Sequence, residues 1–187
     1  MYPLTFFLIL VQFWSGPVPN EFSIHGLWPE FFNDSYPAYC NRSAIFNLSE
    51  ISDLLPYMNK VWSSQNPMDN EAFWEHEYLK HGTCVITQNS SVPEHFYFQQ
   101  ALSWYNDSAS NTVWQKNQLK IGQNYDRDHL NDLFQGSFQC TSQDYISGYI
   151  SSCITELWRC YGVSKCPVWI TEQSCPNNII FCGTISS

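Results

Sequence analysis

The sequence predicts an α+β domain. Strand-like apolar runs stand near the N-terminus, at Leu4–Trp14 and Phe22–Leu27. Segments of helical periodicity bunch in the middle, between Leu48 and Phe134. From Phe138 the chain alternates short apolar pieces with cysteines and turns, a pattern of strands. Helices clustered between strands, rather than alternating with them, favour α+β over repeated β/α units. The 187 residues contain no repeat, low-complexity tract or long linker, so residues 1–187 read as one domain that can bury a sizeable core.

Leu4–Trp14 has two readings. It suits a buried strand, and equally the apolar part of a signal-like segment over residues 1–16, although no Lys or Arg precedes it and no clear cleavage site follows. It is too short to span a bilayer. The turn-rich SGPVPN separates it from Phe22–Leu27. Leu48–Trp62 reads as a helix capped by Ser49, with Ile51, Leu54, Leu55 and Met58 at helical spacing and Pro56 marking a kink or an earlier stop. Asn70–His81 reads as a second helix, capped by Asn70, with Glu71 in its first turn and Gly82 just past its end. Pro93–Tyr105 opens on Pro and Glu and reads as a third, and Asp126–Phe134 as a fourth.

Formal net charge is −9, and the eight Lys and Arg residues are scattered. Binding of nucleic acid through a basic surface is thereby excluded; a nucleic-acid ligand would need a local cationic pocket. The eight cysteines, with no C-x-x-C among them, point to disulfides in an oxidising compartment rather than zinc knuckles. Sequons at Asn33, Asn41, Asn47, Asn89 and Asn106 agree with a secreted or lumenal glycoprotein.

The segment FWEHEYLKHGTC, Phe73–Cys84, superficially matches the zinc-protease H-E-x-x-H. Its spacing argues otherwise. The residue four after His76 is Lys80, and the second histidine, His81, lies at i+5, about 140° around a helix from His76. An ammonium in the ligand slot repels a metal. On the same helix Lys80 lies about 40° and Glu77 about 100° from His76, so all four can face one cleft. Two imidazoles can serve as acid and base, an ammonium can stabilise an oxyanion, and a carboxylate can orient an imidazole. The bland alternative is a solvated helix face with i,i+4 pairs. In FSIHGLWPE, strand alternation puts Ser23 and His25 on one face, and Trp28 stands on a stiff loop before Pro29. Taken alone, His25 and Trp28 would be structural residues.

Taken together, IHGLWP and HEYLKHGTC resemble the two active-site segments of the T2 family of ribonucleases, H-G-L-W-P and H-E-W-x-K-H-G-T-C. Tyr78 replaces the usual Trp. CNRSAIFNLSEISDLLPYM resembles the animal, acid-ribonuclease branch, and LWRCYGVSKCPVWITEQSCPNNIIF resembles the family's C-terminal segment, so the likeness covers nearly the whole chain.

The resemblance implies a central antiparallel sheet with several helices packed against it. It implies that His81 is the general base for the ribose 2′-OH and His25 the general acid for the departing 5′-oxygen. Glu77 and Lys80 stabilise the transition state, and His76 helps hold the phosphate. The activity implied is cleavage of single-stranded RNA through a 2′,3′-cyclic phosphate, with low base specificity, an acidic optimum, no metal and no cofactor. DNA, which lacks the 2′-OH, is not a substrate. Trp28, Glu30 and Tyr36 match the base site of fungal relatives. LILVQFWSG resembles the Q-x-W-P strand, with Ser15 for Pro and Gln12 carried over as substrate-binding. On that pattern residues 1–16 are read as the first strand, with the secretion signal absent from the sequence. The family implies Cys40–Cys84, Cys140–Cys175 and Cys160–Cys166, leaving Cys153–Cys182, with Cys140–Cys182 an open alternative. It also implies a secreted or lysosomal, endomembrane-lumen monomer with no membrane attachment. His95 and His129 match no motif and are read as surface or structural. The rival function is a secreted glycoprotein with the same fold that acts by binding.

Overall fold

The computed structural model describes residues 6–16, 18–65, 69–87, 90–91, 93–140, 144–146, 149–164, 166–171 and 175–183. In chain order the strands are β1 (Phe6–Trp14), β2 (Phe22–Phe31), the short hairpin β3 (Ile86–Thr87) and β4 (Ser90–Ser91), β5 (Asn124–Asp126), β6 (Ser137–Cys140), β7 (Asp144–Ile146), β8 (Tyr149–Tyr161) and β9 (Asn178–Ile180). The helices are α1 (Leu55–Val61), α2 (Asn70–Lys80), α3 (Glu94–Ser108), α4 (Ser110–Lys116), α5 (Arg127–Phe134) and α6 (Val168–Thr171), with 3-10 turns at Leu48–Ile51 and Gly82–Cys84.

A seven-stranded sheet runs β2-β1-β8-β9-β5, with β6 and β7 also pairing with β8. Among the described residues its pairings are antiparallel except β8 with β9. The apolar run near the N-terminus is β1, held between β2 and β8 with Ile9, Leu10 and Val11 fully buried. A strand covered on both faces reads as an unbroken apolar run, which is why its composition alone resembles a signal segment. β2 continues through Pro29 to Phe31, and its position at the sheet edge accommodates a residue without an N–H.

Helices α1, α2 and α3 cover one face. Met58, Trp62, Phe73, Trp74, Tyr97 and Phe98 pack there on Leu10, Ile24 and Leu27. Against the opposite face Phe7, Ile9 and Val11 meet Ile170, with Trp28 and Trp158 beside them. A third cluster of Trp14, Phe22, Phe134, Phe138 and Phe181 closes the end of the sheet.

The helices differ from the sequence reading at several points, and the third runs on to Ser108 rather than ending at Tyr105. Leu48–Trp62 is a 3-10 turn capped by Asn47, not Ser49, followed by a separate helix that opens with Pro56 in its first turn. Proline needs no N–H partner there, so it starts α1 rather than kinking a longer helix. Asp69, not Asn70, caps α2, accepting from the Ala72 N–H at 2.8 Å. α4 was not foreseen; the left-handed Ala109 (φ 48°) ends α3 and turns the chain into it.

The disulfides join Cys40 to Cys84, Cys140 to Cys175, Cys153 to Cys182 and Cys160 to Cys166. Cys140 is thus bonded to Cys175 and not to Cys182. The first bridge ties the loop after β2 to the turn that ends α2.

Candidate active site

His25 owes its position to an irregularity in β2. Val11 pairs with Gly26 and Gln12 with Ile24, which leaves His25 as the extra residue of a bulge. A bulge re-aims a side chain that regular alternation would send elsewhere. The imidazole lies flat on Phe13, with centroids 4.1 Å apart and planes at 17°. The Trp62 indole donates to the His25 carbonyl at 2.8 Å, securing the bulge from α1. Beside it, a Cβ on Gly26 would overlap Glu77 Oε2 and Trp28 Nε1. That contact requires glycine for lack of space, not for its backbone freedom.

α2 supplies the other side. Glu77 and His81 are buried, whereas His76 is exposed. His81 is not in the helix proper. It is the C-cap residue, with its N–H donating to the Glu77 carbonyl at 3.0 Å. The buried Tyr97 hydroxyl fixes the two segments together, donating to the Leu27 carbonyl at 3.1 Å with the Glu77 carbonyl at 3.4 Å. Trp28 sits between the histidines. Its indole N–H donates to Glu77 Oε2 at 2.9 Å. Its ring stacks on His81 at 5.0 Å and 18°, and meets His25 edge-on at 4.8 Å.

The environments of the ionisable groups diverge. Burial pushes the His81 pKa down to about 2, with the charges of Lys80, His25 and His76 acting in the same direction. Among the described residues neither ring nitrogen of His81 has a hydrogen-bond partner. Partial burial, then Lys80 and His25, lower His76 as well. Glu77 is raised by burial, opposed by His25, the Trp28 N–H and Lys80. His25 Nε2 lies 3.8 Å from Glu77 Oε1, and its Nδ1 is 2.6 Å from Glu156 Oε1 on β8.

A cavity of about 250 Å³ opens on this arrangement, lined among others by Trp28, Glu30, Tyr36, Lys80 and His81. Glu30 is raised to about 7, first by burial and then by Asp34. Its folded-state pKa exceeds the unfolded one, so ionising it opposes folding as pH rises from about 4.5 through 7. We expect Glu30→Gln to gain stability relative to the parent by about 2 kcal/mol between pH 4.5 and pH 8, measured by urea unfolding. A pH-independent difference would contradict this environment for Glu30.

The structure therefore gathers His25, Trp28, Glu77 and His81 into direct contact, and adds Glu30, Tyr36 and Lys80 around the cavity. His76 stands at the margin. Gln12 does not line the cavity; it is fully buried and accepts from the Ser110 hydroxyl at 3.0 Å. Asn33, Asn41, Asn47 and Asn106 are exposed, and Asn89 lies outside the described residues. His95 pairs with Asp53 at 3.0 Å, and His129 is exposed. Among the described residues no three His, Cys, Asp or Glu side chains are grouped to hold a metal ion. Sequence reasoning missed Glu156, Trp158 and Tyr97. Each comes from a distant segment, and no local spacing relates it to the two motifs.

Residues 6–166 match the model of the Ribonuclease T2 family. Ribonuclease T2 of Danio rerio is 31% identical over 179 residues, covering 84% of this chain and 72% of that protein. Ribonuclease 1 of Arabidopsis thaliana is 46% identical over 91 residues, 48% of this chain and 38% of its own length. The chain thus spans well under half the length of that curated relative. The crystal structure of RNase NT in complex with 5′-AMP superposes with a TM-score of 0.79 at 27% identity, covering 95% of this chain and 98% of the other. Human RNase T2 does so at 0.76 and 26%, covering 95% and 98%.

Proposed function

This chain belongs to the Ribonuclease T2 family, and from that premise we propose that it is an endoribonuclease that cleaves single-stranded RNA by metal-independent acid–base transphosphorylation. The observation that carries the reading is the pair of histidines held on either side of Trp28 in opposite environments. His81 is buried with no partner on either ring nitrogen among the described residues, and its desolvation favours the neutral imidazole, the form a general base requires. His25 lies between two carboxylates.

His81 removes the proton of the ribose 2′-OH as the 2′-oxygen bonds to phosphorus. The bond from phosphorus to the 5′-oxygen breaks, and His25 delivers its Nε2 proton to that oxygen. Lys80 and protonated His76 offset the charge on the phosphoryl oxygens. Glu77 holds Trp28 and faces His25. The products are a 2′,3′-cyclic phosphate, later hydrolysed, and a free 5′-hydroxyl. Trp28 and Tyr36 offer aromatic surface for a base beside Glu30, and stacking of this kind tolerates every base.

Four disulfides favour an oxidising compartment, such as the exterior or the endomembrane and lysosomal lumen. Exposed Asn33, Asn41, Asn47 and Asn106 are open to glycosylation there. Among the described residues no helix is long and apolar enough to cross a membrane. The protein acts as a monomer without a cofactor.

Incubation of the disulfide-intact protein with RNA and with DNA, in EDTA, tests the reading. RNA alone should be cut. Because His76 is lowered, its charge appears only as pH falls below the usual histidine range, so the rate should rise from pH 8 to pH 5. Loss of cleavage in EDTA would overturn the metal-independent mechanism. An intact substrate with and without EDTA would leave the family fold serving binding alone.

A further inference from the structure

Glu156 belongs to neither sequence motif, yet it makes the shortest polar contact of His25. It sits on β8 opposite Phe13 of β1. The same strand pair therefore supplies the ring beneath His25 and the carboxylate at its edge. Both carboxylate oxygens are committed. Oε1 lies 2.6 Å from His25 Nδ1, and Oε2 accepts from the Trp158 indole at 2.8 Å. Trp158 in turn meets Trp28 edge-on at 5.7 Å. A circuit thus closes through Glu77, Trp28, Trp158, Glu156 and His25. Glu156 therefore cannot swing away from His25 without giving up its indole partner.

An ionised carboxylate only accepts, so the short contact requires a hydrogen on Nδ1. With Nδ1 engaged and the ring clamped on Phe13, Nε2 is the nitrogen left to face Glu77 and the reacting groups. We propose that Glu156 is a positioning residue for the general acid, holding His25 so that the transferable proton resides on Nε2. This rests on the ribonuclease reading given above. Glu156 touches no reacting atom; it acts through His25.

Glutamine at this position cannot reproduce the arrangement. Its one carbonyl oxygen can accept from either Nδ1 or the Trp158 indole. Its amide group, a donor, is then set against the other.

The test uses two substrates for the same enzyme. In RNA the leaving 5′-oxygen needs a proton. In uridine 3′-(4-nitrophenyl phosphate) the leaving phenolate does not. We expect Glu156→Gln to lower kcat on RNA by about 10²-fold while changing the nitrophenyl ester by less than about threefold. The His25 Nδ1 proton should be strongly deshielded in the parent NMR spectrum and should lose that signature in the variant, with the melting temperature showing that the fold persists. Equal losses on both substrates would reduce Glu156 to a structural role and overturn the proposal alone. Full activity on both would also overturn it alone. A parent protein that cleaves neither substrate would overturn the ribonuclease reading, and this proposal with it. If Glu156→Gln does not fold, Glu156→Asp, which keeps the charge, is compared on the same two substrates. A selective loss on RNA supports the proposal, and an equal loss overturns it.

Discussion

His81→Ala should lower kcat for RNA cleavage by about 10³-fold, within the range that removal of a general base produces. The ring is buried against Trp28 with both nitrogens free of partners among the described residues, an arrangement that serves a transferable proton and little else. An unpaired buried polar group opposes folding, so its retention points to use rather than stability. The pH dependence of stability gives an independent check. The His81 pKa is lowered to about 2 in the folded protein. The unfolded chain therefore takes up this proton from about pH 6.5 downward while the folded state does not. Stability associated with His81 is present above that pH and is lost as pH falls, by at most about 1.4 kcal/mol per pH unit. His81→Ala should flatten the fall between pH 6.5 and pH 4.5 in urea unfolding, while activity is lost at every pH. A variant that retains more than a tenth of the parent kcat would remove His81 from the role of base.

Gly26→Ala is the second large effect. The added methyl would occupy the space of Glu77 Oε2 and Trp28 Nε1, the two ends of one hydrogen bond. One partner must leave, and both touch His25 or His81. Overfilling a packed site costs about 1–3 kcal/mol. Displacing the reacting groups by an ångström costs about 10²-fold in kcat/KM. Gly122→Ala supplies the contrast. Gly122 has φ of +75° and open space around its Cβ position, so alanine there strains the backbone and touches nothing. We expect Gly122→Ala to lower the melting temperature with activity unchanged, and Gly26→Ala to lose activity out of proportion to its melting temperature. Parallel behaviour of the two variants would mean that Gly26 matters only for folding.

Much of the candidate site was legible without coordinates. The i+5 offset between His76 and His81, with Lys80 in the ligand slot of a zinc helix, is a local feature of one helix. The cysteine just beyond Gly82 and the apolar run that became β1 are local features of their own segments. Helical geometry placed Glu77 and His81 within one broad sector of α2, but azimuth does not state what lies opposite. Desolvation depends on neighbours from elsewhere in the chain. Packing against β2, Trp28 and Tyr97 buried Glu77 and His81 and left His76 at the surface.

Alternation along β2 misjudged His25 because the bulge is a property of its pairing with β1. Gln12 belongs to a recognisable strand, yet the register of β1 turned it to Ser110. Leu48–Trp62 has helical spacing throughout, and only the chain path decided that Pro56 would start a helix. By itself, then, the sequence marked the groups proposed to carry the chemistry and most of the segments that form strand or helix, since spacing and side-chain type act over one or two turns. Tertiary structure alone decided that Glu156 of β8 meets His25, that one histidine is stripped of water while another is not, and that Gly26 must lack a side chain. These depend on surfaces brought together from distant parts of the chain, where burial and close approach, rather than spacing, set the energies.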